Sequence, residues 1–466
     1  MLTFKNNKLI IYPSLTERWS LHMKGLTKKV LSGFESDLKN TPNAKLIRNA
    51  LYKSTIANLS MVGDEMTEQQ FLFNVEVKTM KCANQKSSGR CWLFAATNLM
   101  REKFGKEKNI PEFEFSQSWL AFWDKLEKCN WYYENIIDTV DLDVDDRVVS
   151  YIVGEGVSDG GQWDMFVNIA NKYGIVPKSA YPETAQSSAT GPLNGQIVAS
   201  LRKGAALLRE MHSKGKTKEQ LEEKKEELMS SIYVFLTECY GVPPKKFDFE
   251  YKDKDGKYFI EKDYTPLSFY EKYFGDYLNN FGSVINGPTN DKPYDRVYTI
   301  DRLGNVVGGN PIKHLNLRID EMKQAVIAQL KDNQIVWFGC DCGKFGERQE
   351  KNLWDDKLYD YDSVTGLDTK LTKAQALDYH ASAMNHAMCI TGVHLDENGK
   401  PQRWKIENSW GSEGVNSGFY MMSDSWFDLY VYQAVVDKKY LGEKAKLYDG
   451  EIVHLKPWDP MGTLAD

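Results

Sequence analysis

Apolar and polar positions fall into two regimes along this chain. Before about residue 185 they recur at three-and-four spacing, the period of helices, and after about residue 300 short apolar runs predominate, the pattern of strands. Residues 1–70 show only weak helical patterning, as in Leu26, Val30 and Phe34, and read as a docking arm. From 71 the signal sharpens. Positions 92–100 are almost wholly apolar and predict a buried helix starting just before Cys91. Ser116 is a candidate N-cap for a second helix, with Trp119, Leu120, Phe122, Trp123 and Leu126 on its inner face. A glycine turn, Asp159-Gly160-Gly161-Gln162-Trp163-Asp164, precedes a third apolar helical stretch ending near Tyr173. Residues 71–185 are thus expected to form a helical lobe.

Composition shifts after that. Residues 186–300 are charged and mixed, and are expected to be an insertion without catalytic groups. Thr217 and Gln220 match a capping box, and the Lys and Glu run over 218–227 suits a solvated helix face. Phe247, Phe249 and Tyr251 alternate before Asp255-Gly256, a hairpin pattern, while Asp253 and Asp255 lack the further ligands of a calcium loop. Strand-like runs at 336–339 and 387–390 mark a β-rich lobe over 301–456, followed by a tail, 457–466. The expected class is α+β.

The totals narrow the function. With 466 residues, 42% hydrophobic and 27% charged, and no apolar run near the roughly 18 residues of a membrane span, the chain reads as globular and cytoplasmic, with no membrane partner. The stretch 9–12 is too short for a signal-peptide core. A net charge of −6 gives no general attraction to nucleic acid. Seven scattered cysteines suggest no disulfide framework, and Cys340 and Cys342 lack the partners of a zinc site. No metal and no cofactor is expected.

Three segments carry chemistry. Cys91 sits in Asn84-Gln85-Lys86-Ser87-Ser88-Gly89-Arg90-Cys91-Trp92 at a predicted helix start, where backbone amides favour a thiolate, expected to dominate at neutral pH beside an imidazolium. Far downstream lie Asn385-His386-Ala387 and Glu407-Asn408-Ser409-Trp410-Gly411. The turn residues Asp396-Glu397-Asn398-Gly399 lie midway between His386 and Asn408, so an antiparallel hairpin would set the two across from each other, about 4.5–5.5 Å apart. Asn408 shares a face with Trp404 and Ile406, where a buried amide needs a partner, and an imidazole supplies one. Gln85 is placed to meet a developing oxyanion together with the Cys91 amide. Trp410 would cover the His386–Asn408 contact. Nucleophile, base and orienter together point to a hydrolase.

These segments resemble the papain superfamily. Glu114-Phe115-Ser116-Gln117-Ser118, the 159–165 turn, Val336-Trp337-Phe338-Gly339-Cys340-Asp341 and Pro457-Trp458-Asp459-Pro460-Met461-Gly462 extend the likeness to the bleomycin hydrolase and bacterial aminopeptidase C family. The resemblance covers about 71–466 and is looser before it. It implies a helical lobe and a β-rich lobe with the site between them, Cys91 as nucleophile, His386 as acid and base, Asn408 as orienter and Gln85 as oxyanion donor. Gly160 and Gly161 would bind substrate backbone. The resemblance further implies a homohexamer and a tail lying in the cleft, so that Leu464 and Ala465 meet the substrate, a peptide with a free N-terminus. Asp466 would overfill that position and is expected to be removed by the enzyme itself. Ser88 stands where secreted papains have a cysteine, and the distance from Cys91 to His386 far exceeds the roughly 130–150 residues of papains, an excess the insertion accounts for. The implied activity is that of a cysteine aminopeptidase, with bleomycin hydrolase-like amide hydrolysis beside it. A papain-like endopeptidase is the alternative within the class, and a nucleic-acid-binding scaffold the alternative outside it.

Overall fold

The structure, a computed structural model, describes residues 2–5, 8–11, 24–68 and 70–465. Two compact units divide the chain: Met1–Met61 with Tyr359–Asp368, and Val62–Leu358 with Thr369–Asp466.

In the first unit, strands Leu2–Lys5 and Lys8–Ile11 pair antiparallel, and helices Lys28–Asn40, Ala44–Leu51, Ile56–Ser60 and Tyr361–Thr365 make up the rest of its regular structure. Helix Lys28–Asn40 starts where the Thr27 hydroxyl accepts from the Val30 amide. None of its residues is buried: Val30, Leu31, Phe34 and Leu38 all stand exposed.

The second unit is built on a twelve-stranded mixed sheet. Its central order runs Phe419–Ser423, Pro401–Glu407, His386–Leu395, Val336–Cys340, Val431–Asp437, Phe281–Ile285. Strands Val336–Cys340 and Val431–Asp437 are apolar on both faces because both are covered, one alternate set of side chains packing on helices. Strands Phe281–Ile285 and Arg296–Ile300 join the same sheet, so the stretch assigned from sequence to an insertion supplies part of the core. Their short apolar runs are flanked by charges, which hid them.

Helix Cys91–Lys108 packs on strands His386–Leu395 and Val336–Cys340, and its first ten residues are all buried, with Trp92, Leu93, Phe94 and Ala96 fully so. Cross-links fix its position: Trp337 Nε1 donates to the Trp92 carbonyl at 3.1 Å, and the Cys389 thiol to that of Ala95 at 3.2 Å. It ends at Asn109, whose left-handed conformation stops the helix as an Asn at that place commonly does. Helix Gln117–Asp138 starts at Ser116, whose hydroxyl accepts from the Trp119 amide at 3.0 Å. Helices Gly191–Ser213 and Lys218–Tyr240 pack beside it; the latter has the Thr217–Gln220 capping box, with Leu221 buried beneath an otherwise largely solvated charged turn. The hairpin Phe247–Lys252 with Tyr258–Tyr264 follows, and the Asp253 carboxylate accepts from the amides of Asp255 and Lys257 as a turn residue.

Candidate active site

The loop entering helix Cys91–Lys108 is clamped on both sides. Arg90, buried, forks onto Glu183 at 3.1 and 3.0 Å and donates to the Ser88 hydroxyl at 2.9 Å. Burial alone would raise the Glu183 carboxyl, but Arg90 outweighs it and holds that group below its usual range. Removing one partner of such a buried pair costs about 3–5 kcal/mol. Gly89 donates its amide to the Asp159 carboxylate at 3.0 Å, and a side chain on Gly89 would come within 2.8 Å of Asp159. Lys125 and Thr190 bind the same carboxylate, and the Asp159 carbonyl accepts from Trp92 Nε1 at 2.7 Å. Burial opposes its charge, yet these partners keep the Asp159 carboxyl well below its usual range. One acid thus ties the nucleophile loop to the Gly160–Gly161 turn.

Cys91 is the first residue of its helix and only 4% exposed. Its Sγ accepts from the Ala387 amide at 3.4 Å, which places the thiol at the start of strand His386–Leu395. His386 Nε2 bonds Asn408 Oδ1 at 2.9 Å, leaving Nδ1 as the nitrogen open to the thiol. Asn408 is fully buried; its Oδ1 also accepts from the Ser409 amide, and its Nδ2 has no partner among the described residues. Trp410 stacks on His386, with centroids 5.1 Å apart.

The hairpin differs from the symmetric expectation. Cys389 pairs with Glu407 and Ile390 with Ile406, an offset of two residues already set at the turn, where Leu395 pairs with Pro401 and the Asp396 amide donates to the Lys400 carbonyl; the irregularities near Thr391 and His394 cancel between these ends. Extended past the strand end, this register puts Trp410, not Asn408, across from His386, and Asn408 on the diagonal. An offset of two keeps every side chain on its expected face, so the imidazole and the carboxamide still meet.

Burial works against a charge on either group. It pushes the Cys91 thiol up to about 12, against the Ala387 amide that pulls it down, and lowers the His386 imidazole to about 4 despite the bond to Asn408.

Gln85, Cys91, Gly160, Asn385, His386, Thr463 and Leu464 line one cavity of about 490 Å³. Gln85 is held by its neighbours: Nε2 donates to the Ser88 carbonyl and Oε1 accepts from the Ser409 hydroxyl, each at 2.5 Å. That leaves the second Nε2 hydrogen for the cavity. The tail enters through Thr463, whose hydroxyl donates to the Met384 carbonyl at 2.8 Å. The Leu464 carbonyl takes the Gly161 amide at 3.0 Å, and a side chain on Gly160 would come within 2.4 Å of that carbonyl. Gly161 in turn leaves no room for a side chain against the Trp92 ring, 2.6 Å away. Ala465 departs from expectation: its carbonyl accepts from the Ser158 hydroxyl at 2.5 Å, and it lines a separate cavity with Trp131 and Tyr132 instead of that of Cys91. Asp466 lies outside the described residues. Asp159, Glu183 and Ser158 carried no sequence signal as partners of the site, since their contacts join segments 67 to 307 residues apart. Among the described residues no cluster of three metal-ligating side chains occurs.

A thiol at the head of a buried helix, facing an imidazole steadied by a carboxamide across the cleft, is the arrangement of the papain-like cysteine peptidases. The comparisons agree with the geometry. The Peptidase C1-like family matches residues 25–462, and the chain belongs to it. It is 46% identical over 446 residues to aminopeptidase C of Lactobacillus delbrueckii subsp. lactis, covering 95% of this chain and 99% of the relative. Against aminopeptidase C of Listeria monocytogenes the identity is 43%, over 94% of this chain and 99% of that one. The crystal structure of pepw from Lactobacillus rhamnosis superposes with a TM-score of 0.91 at 43% identity, covering 94% of this chain and 99% of its own. The fold is accordingly the α+β papain-like one, with a cysteine peptidase's chemistry.

Proposed function

We propose that this chain is a cysteine aminopeptidase that releases residues singly from the free N-termini of peptides. Cys91 Sγ attacks the first peptide carbonyl as its proton passes to His386 Nδ1. The Cys91 amide and Gln85 Nε2 receive the developing oxyanion. His386 then returns the proton to the departing amine, leaving a thioester on Cys91, and water activated by the same imidazole releases the acid. Asn408 keeps the imidazole turned for both transfers, and Trp410 shields their hydrogen bond from water.

The observation that carries the aminopeptidase reading is the Leu464 carbonyl on the Gly161 amide. Gly160 and Gly161 are the backbone positions where a peptide extending away from Cys91 on its acyl side would dock, and the chain's own tail fills them. A substrate then has room for one residue before the bond to be cut. Loss of Asp466 suits the same scheme but requires the tail to shift, because the Ala465 carbonyl is turned to Ser158.

Product analysis on one peptide, unblocked and N-acetylated, tests the reading: the first residue should be released from the unblocked form alone. Internal cleavage of the acetylated peptide at a similar rate would favour the endopeptidase alternative. The exposed Leu31, Phe34 and Leu38 support self-association, for which a homohexamer is the assembly to test by sedimentation. Seven free thiols suit a cytoplasmic site, and no helix among the described residues is long and apolar enough to cross a membrane. Bleomycin hydrolase-like amide hydrolysis would use the same acyl transfer.

A further inference from the structure

If the acyl side of Cys91 is closed by the tail, the leaving half of the substrate must depart past His386, which gives it a proton. What stands there is an aromatic platform with a cation on it. The Trp410 indole stacks on the imidazole, and the Arg348 guanidinium lies 4.6 Å from the centroid of the same indole. Arg348 is fixed in place: its Nη2 donates to the Cys342 carbonyl at 2.9 Å, an oxygen that also accepts from Trp354 Nε1 at 3.0 Å. Its charge is unanswered. No carboxylate among the described residues pairs with it, and the adjacent Glu347 is committed to the amides of Gln349, Glu350 and Lys351 at 2.6–3.1 Å. Arg348 is exposed, so the guanidinium's remaining N–H groups face solvent and whatever enters the site.

We propose that Arg348 is a specificity-determining residue that binds the free C-terminal carboxylate of short peptides on the leaving-group side, making di- and tripeptides the preferred substrates. The proposal rests on the aminopeptidase reading. The guanidinium and the imidazole lie against one indole, 4.6 and 5.1 Å from its centroid, which keeps the two groups within the length of a short peptide. A planar fork held over an aromatic face is pre-organised for a carboxylate, and a longer peptide would carry its own carboxylate beyond reach. The charge is also felt at the reacting groups: burial lowers the His386 imidazole, the Asn408 bond raises it, and Arg348 lowers it.

The test compares a tripeptide acid with its C-terminal amide, and uses an aminoacyl arylamide to register aminopeptidase turnover by itself. Wild-type enzyme should favour the acid by about fivefold in kcat/KM, the size of one exposed charge pair, with the difference in KM. Arg348→Gln should bring the acid-to-amide ratio to about one, and Arg348→Lys should keep part of it. Equal ratios in wild type and Arg348→Gln would overturn the assignment. So would a preference seen only for amides carrying Asp just after the cleaved bond, which would mean a side chain is bound and not the C-terminus. Should wild type leave the arylamide and both tripeptides intact, the aminopeptidase reading itself fails. Turnover of all three without acid preference refutes Arg348 alone.

Discussion

The two sides of Cys91 are made by opposite means. On the acyl side the wall is backbone: Gly160 lacks a side chain so that the tail can lie against it, and the Leu464 carbonyl takes the Gly161 amide. On the leaving-group side the wall is side chain: Trp410 covers His386, and Arg348 sits on Trp410. The first selects by exclusion and cannot distinguish one residue from another. The second offers a charge and a flat aromatic surface, and can discriminate. A single molecule thus measures a peptide's beginning by available space and its remainder by contact.

The largest effect should come from removing the point where the sides meet. Cys91→Ala should lower kcat by on the order of a millionfold on every substrate, with the circular dichroism spectrum unchanged. Residual turnover near wild type in a purified sample would place the nucleophile elsewhere. Gln85→Ala, which spares both walls and removes one oxyanion donor, should cost about 10²–10³ in kcat, and an unchanged kcat would show that its amide does not reach the substrate. Deleting 464–466 should open only the acyl side: N-acetylated peptides become substrates and mass spectra show internal cuts. Continued rejection of blocked peptides would mean that the tail is not the barrier.

Acidity gives the smallest and sharpest probe. Activity requires a neutral imidazole to accept the thiol proton, so it should be flat through neutral pH and fall as pH drops through about 4, where the His386 imidazole becomes charged in place. An acid limb above pH 6 would contradict the buried, neutral pair. Because the Arg348 cation opposes that protonation, Arg348→Gln should move the acid limb to higher pH by less than about one unit. The apparent values belong to the thiol and imidazole jointly.

Local pattern revealed what local physics decides. The helix start at Cys91, the Ser116 cap, the Thr217 capping box and the shared face of His386 and Asn408 are all dictated within a few residues. The two-residue offset of the hairpin was hidden, since any of several polar residues over 396–400 could have formed the centre of the turn. Long-range partners were hidden as well. Nothing near Asp159 announces Lys125 or Gly89, and Arg348 lies in a charged loop where cations are ordinary. The burial of Cys91, which raises its thiol, escaped a reading based on the helix start alone, because the cost of burying a charge depends on everything packed around it.

Asp159 makes the acid response of the site a matter of order. Its carboxyl is held well below the ordinary value, so the stabilisation it contributes is fully present above that ordinary value and disappears only as pH falls through the much lower folded one. The His386 imidazole takes up its proton first. On acidification the catalytic pair is therefore silenced while the carboxylate joining nucleophile loop, Lys125 and Thr190 is still charged. Activity lost at about pH 4 should therefore return on neutralisation without this corner of the molecule having to be rebuilt.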